Sequence, residues 1–175
     1  MFRFLLQKPI FRFLFTVLIL YVLWYVLYDL WLHPNQTVDL WVVDVTIYLS
    51  KILLESMGYL VFTGSERVIG IDGSGGLWIG DNCNGIALFS LFAVFIMAYK
   101  GKIKTKIIYI TLGILSIQVL NVLRVAGLAI LDTYSRSWTE INHTYTFNIL
   151  IYGYIFFLWM LWVNKYADSK FVHPS

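Results

Sequence analysis

Apolar and polar positions divide the chain into runs of different character. Residues 11–32, FRFLFTVLILYVLWYVLYDLWL, form the first long apolar run, opened by Arg12 and holding Asp29 as its one acid. At ~1.5 Å per helical residue it is long enough for the ~30 Å hydrocarbon core of a bilayer. It ends in WLHPN, with no small-x-small pattern, so it reads as a retained span and not a cleaved signal. Residues 39–62 differ. Asp44, Tyr48, Lys51 and Glu55 recur at helical spacing on one face, and Val42, Val45, Ile52 and Leu53 occupy the opposite one. This predicts an amphipathic helix at the interface, or a re-entrant one, and not a lipid-bathed span. Residues 65–82, SERVIGIDGSGGLWIGDN, combine a glycine-rich composition with the short β-prone runs RVIGI and GLWIG, which predicts a hairpin-like ordered loop. Apolar runs at 83–99, 107–131 and 146–164 then predict three further spans, separated by KGKIKTK and by a polar stretch over 132–145.

The expected architecture is an all-α polytopic membrane protein. It has a bundle of four or more helices, an amphipathic helix and a short extracytoplasmic β-hairpin-like loop, all within one integral membrane domain over residues 1–175. Composition agrees. Of the 175 residues, 59% are hydrophobic and only 13% charged, with a mean hydropathy of +0.74. An ordinary soluble domain carries about twice that share of charge, so a water-soluble globule, a disordered chain and a collagen are excluded. A single cysteine excludes a disulfide scaffold.

Charge placement sets the orientation. Arg3, Lys8 and Arg12, then Lys100, Lys102, Lys104 and Lys106, then Lys165 and Lys170, make nine of the thirteen basic residues. Four crossings put all nine on the cytoplasmic side, as Lys and Arg in short loops favour. A full span at 39–62 would move the four-lysine loop outside. Both termini are therefore expected in the cytoplasm of a cell inner or plasma membrane. The lysines flank two spans and read as a topology signal, so no nucleic-acid partner is expected. No phosphate-binding glycine motif and no close metal-ligand pair such as CxxC or HxxxH occurs, so neither cofactor nor metal is expected.

This orientation brings three chemically capable residues to the outer leaflet. Cys83 opens the second span, His143 precedes the fourth, and Arg124 lies roughly 10 Å inside the outer end of the third at helical rise. They are 41 and 19 residues apart. In GDNCNG, Asp81 or Asn82 is placed to cap a helix starting there, and a first-turn thiol would feel the positive end of the helix dipole. Cys83, Ala87, Ser90 and Val94 would then share a small-residue face suited to close packing. Arg124 shares an arc with Gly113, Ser116, Asn121 and Gly127 while the rest of that helix is mostly Leu, Ile and Val. An intramembrane arginine is costly and marks a functional site by default. Its structural alternatives are an ion pair with Asp29 or Asp132, or snorkelling to the interface. His143 in INHTYTF is a candidate acid or base, with His33 as its competitor on the same side. The alternative for Cys83 is a space-filling buried thiol.

The strings DNCNGIALFS, NVLRVAGLAIL and NHTYTFNILIYG resemble the Cys, Arg and His motifs of the exosortase/archaeosortase family, over about residues 35–164. The absence of an added soluble domain most resembles the compact exosortase F type of branch. The resemblance implies a membrane-embedded cysteine transpeptidase or peptidase. It would cut the C-terminal sorting signals of exported, membrane-tethered proteins, each signal a short motif, a hydrophobic helix and a basic cluster. It also implies Cys83 as the acyl-thioester nucleophile and Arg124 and His143 as the proton-transfer and stabilising groups. Asn82, Asn84 and Asn121 flank these as supporting candidates. The chain departs from longer members in having one clear span before the cysteine, and in Asn84 where a small serine is common. Two other classes fit the same residues: a non-enzymatic assembly or chaperone subunit of a surface-protein export system, and a thiol acyltransferase using a lipid donor.

Overall fold

The computed structural model describes residues 9–64, 67–80, 83–142 and 146–166. Helix α1 spans Pro9–Leu27 and continues through a wider turn, Tyr28–Leu32. Proline suits a first helical position because its missing N–H has no partner there in any case. The apolar window of Ile10–Leu32 is not buried by the rest of the chain, and its Leu14, Leu18 and Leu23 are exposed. A helix apolar all round belongs in lipid. Tyr28 is the exception: it is buried in the wide turn and stacks on Trp24 at 5.0 Å.

Helix α2, Thr37–Ser56, follows. Its buried stripe is Asp39, Val43, Thr46, Ser50 and Leu54, with Val42 and Ile47 beside it. Asp44, Tyr48 and Glu55 point outward as their spacing predicts, but Ile52, expected on the packed side, is exposed. The packed side is instead a seam of small and polar residues. Ser50 Oγ donates to the Val122 carbonyl at 3.3 Å, and Gln118 Nε2 donates to Thr46 Oγ1 at 2.8 Å. Helices without a hydrophobic drive toward one another use such small and polar contacts. The helix ends before Met57–Gly58, and the last residues of the expected 39–62 helix belong to a strand. Strands β1 (Val61–Gly64), β2 (Val68–Ile71) and β3 (Leu77–Trp78) form an antiparallel sheet in that order. The hairpin expected within 65–82 thus gains its first strand from the segment before it.

Helix α3 covers Ile86–Ala98, 13 residues where a span over 83–99 was expected. At ~1.5 Å per residue it is about 20 Å long, short of the ~30 Å core. The helix starts late because Gly85, at φ +81°, takes a left-handed conformation just before it. Helix α4, Ile103–Tyr134, is the opposite case: 32 residues that absorb Lys104 and Lys106 at one end and run past residue 131 at the other. Lys106 is buried, and its Nζ donates to the Met97 carbonyl at 2.8 Å, at the C-terminal end of α3 where a cation is favoured. A short α5 (Arg136–Ile141) leads to α6 (Phe147–Leu161), extended by a wide turn over Trp162–Tyr166. Among the described residues three helices, Ile10–Leu32, Ile103–Tyr134 and Phe147–Tyr166, are long and apolar enough to cross a membrane. The fold is an all-α membrane protein with one small sheet.

Among the described residues two large apolar cores hold it, beside a smaller cluster of Tyr28, Val42 and Ile86. One joins α2, β2 and α4 through Val43, Leu54, Ile69, Ile71, Val125 and Ala129, and includes Cys83. The other joins α3, α4 and α6 around Phe92, Ile117, Ile155 and Trp162. Gly113 lets the fully buried Phe92 ring lie on α4, since a Cβ there would come within 2.2 Å of the ring. Gly113→Ala is expected to cost about 1–3 kcal/mol, as overpacking a closed core does. Gly127→Ala, whose added Cβ meets nothing nearer than Phe147 at 3.4 Å, should be close to neutral. Thermal unfolding of both variants in detergent checks this; equal midpoints would refute the packing argument.

Candidate active site

Cys83 does not lie in the first turn of a helix. It sits in a turn that precedes the left-handed Gly85, so it shares no helical face with Ala87, Ser90 and Val94. The turn is nevertheless tied down. The Cys83 N–H donates to the Gly80 carbonyl at 2.9 Å, and Asn121 Nδ2 on α4 donates to the Cys83 carbonyl at 2.9 Å. One turn further along α4, Arg124 Nη2 donates to Cys83 Sγ at 3.0 Å. Cys83 and Arg124 are each 4% exposed. Two α4 residues thus present a donor each to one cysteine, because positions 121 and 124 share a face.

The electrostatics of the thiol are divided. Burial away from water favours the neutral SH, and the guanidinium favours the thiolate. Arginine stays protonated, so Arg124 donates and stabilises negative charge but cannot accept the thiol proton. Its fork of donors suits either the thiolate or an oxyanion formed at an attacked carbonyl. Asn121 Oδ1 is buried with no hydrogen-bond partner among the described residues, an acceptor left beside the Cys83 peptide.

On the other side of the turn lies a polar cluster that sequence reasoning missed. Asp39 is fully buried, and its carboxylate accepts from Tyr28 Oη, from Asn84 Nδ2 at 2.5 Å and meets His33 Nδ1 at 3.2 Å. Asn84 Oδ1 in turn accepts the Ile86 N–H at 2.9 Å and takes the capping role expected of Asp81 or Asn82. A signal existed. Asp39, Val43, Thr46 and Ser50 recur at the same spacing as the charged face, and a polar stripe of small residues is as much a packing pattern as an apolar one. His33, with Asn84, Gly80 and Tyr28, lines a cleft of about 430 Å³. The cleft shares Tyr28, Asp29 and Ala87 with an apolar groove of about 490 Å³ between α1, α3 and α6. Ala87, Ser90 and Val94, expected to be a tight packing face, line this groove instead. His143 and Asn82 lie outside the described residues, as does Asp81. Among the described residues no cluster of His, Cys, Asp and Glu is arranged to hold a metal.

No match is found among curated proteins or among solved structures. The sequence model of the transmembrane exosortase family matches residues 2–164, nearly the whole chain. With a buried cysteine held by an arginine from a long membrane helix, and a match of that extent, the chain belongs to the transmembrane exosortase family.

Proposed function

We propose that the protein is a cysteine peptidase or transpeptidase that cuts C-terminal sorting signals of exported proteins at the extracytoplasmic face of the membrane. The observation that carries this reading is the 3.0 Å contact between Arg124 Nη2 and Cys83 Sγ, both buried. The thiolate attacks the scissile carbonyl carbon and forms a C–S bond. The oxyanion that develops takes the Arg124 donors. Collapse breaks the C–N bond, and His143 supplies the proton to the departing amine, having taken the thiol proton first. An acceptor amine or water then attacks the thioester, breaks the C–S bond and releases Cys83. The apolar groove, which shares Tyr28, Asp29 and Ala87 with the polar cleft, supports a substrate that carries its own hydrophobic helix. The nine basic residues at the N-terminus, at 100–106 and in the C-terminal tail support an orientation with both termini inside and the site outside, in which the 13-residue α3 crosses together with the three long helices.

The test is the mass of the adduct on Cys83. Wild-type protein from growing cells is expected to carry a peptide acyl group that hydroxylamine releases as a hydroxamate. A lipid-mass adduct would replace this reading with an acyltransferase. Absence of any adduct, with Cys83→Ser fully functional in export, would replace it with an assembly subunit.

A further inference from the structure

The geometry points to Asp39 as a positioning residue for Cys83, acting through Asn84; this rests on the reading of Cys83 as the reactive group. Asp39 sits in the first turn of α2, where the helix dipole favours a negative charge. A fully buried carboxylate is stable only when its oxygens are hydrogen-bonded, and here Tyr28, His33 and Asn84 all reach it. Asn84 is the member that matters for the thiol. Its NH₂ is held by the carboxylate and its amide oxygen by the first N–H of α3, so both ends of the side chain are fixed. The backbone that carries Asn84 also carries Cys83. The opposite side of the turn is fixed by Asn121 and by Gly80. The 83–85 turn is thus clamped between α4 and the Asp39 cluster, and Sγ is held against Arg124 as a result. Without Asp39, Asn84 Nδ2 loses its acceptor and the turn keeps its hold on one side only.

Cys83 is the sole cysteine of the chain, so its reactivity can be read without interference. The experiment is the rate of Cys83 alkylation by iodoacetamide in the full-length protein in detergent, alongside the unfolding midpoint. Asp39→Ala and Asn84→Ala are each expected to raise the rate at least about fivefold by freeing a thiol that is now enclosed, and the double variant should match the faster single one, as for two residues acting as a unit. Asp39→Asn keeps an oxygen acceptor for Asn84 and should stay within about twofold of wild type. A role in stability alone predicts no such rescue in reactivity. An unchanged rate in Asn84→Ala overturns the proposal, as do multiplied effects in the double variant or an Asp39→Asn rate equal to that of Asp39→Ala. If Asp39→Ala does not fold, Asn84→Ala and Asp39→Asn decide the matter between them. Alkylation needs no substrate, so failure to find a peptide adduct on Cys83 would leave this result standing on its own.

Discussion

Replacing Cys83 with alanine is expected to leave substrate C-termini uncut. Mass analysis of C-terminal peptides from envelope proteins, compared between cells with wild-type and Cys83→Ala protein, reads this directly. The expected loss is about a thousandfold or more, since removing a nucleophile removes the covalent route and leaves only binding and positioning. Stability should change little. The thiol fills a small place in the core formed by α2, β2 and α4, and alanine vacates one sulfur atom there. A variant that folds normally and still processes every substrate would end the enzymatic reading. A variant that accumulates one or a few proteins with intact hydrophobic tails would also reveal the substrate motif, which the sequence does not contain.

Arg124→Lys carries the second-largest expected effect, a loss of about 10²–10³-fold in processing, the scale seen when one donor to a developing oxyanion is removed. Lysine keeps the charge but replaces a planar fork with a single ammonium on a flexible stem. It cannot hold Sγ and a substrate oxygen with separate, fixed N–H groups. Arg124→Met should lose at least as much activity, and its unfolding midpoint should equal or exceed that of the wild type. A buried charge is costly to keep, and replacing it with an apolar side chain of similar length often stabilises. Activity and stability moving in opposite directions would mark Arg124 as a residue held for chemistry. Processing by Arg124→Lys within a few-fold of wild type would show that charge alone suffices.

The long apolar windows were legible because nothing in them competes with helix: Ile10–Leu32 and Phe147–Tyr166 lie close to the runs read at 11–32 and 146–164. The short helix was not, because periodicity does not register that Gly85 turns left-handed and delays the start to Ile86. For the same reason the helix-dipole argument for Cys83 fails, while its burial follows from contacts that no local pattern encodes. The family resemblance named Cys83 and Arg124, but their contact joins positions 41 residues apart and depends on how α4 lies against the 83–85 turn. Asp39 went unread for a subtler reason. The charges at helical spacing, Asp44, Lys51 and Glu55, form the more conspicuous pattern, whereas the neighbours of Asp39 at that spacing are Val43, Thr46 and Ser50.

The length of α4 sets a scale for the whole reaction. From Ile103 to Arg124 the axis rises about 32 Å, and about 15 Å remain to Tyr134. In the proposed orientation, which puts the lysine-rich end at the cytoplasmic surface, the first distance is close to the ~30 Å hydrocarbon thickness. In that orientation the helix would act as a ruler whose mark is the guanidinium. A substrate helix seated at the same depth would present to Cys83 the peptide bond that emerges at that height, whatever the identity of its side chains. Lengthening α4 by one turn below Arg124 would raise the mark by about 5.4 Å, a little under two residues of extended chain. The place of the cut would then be fixed by membrane thickness and helix length together, and recognition of side chains would only have to choose among chains already in register.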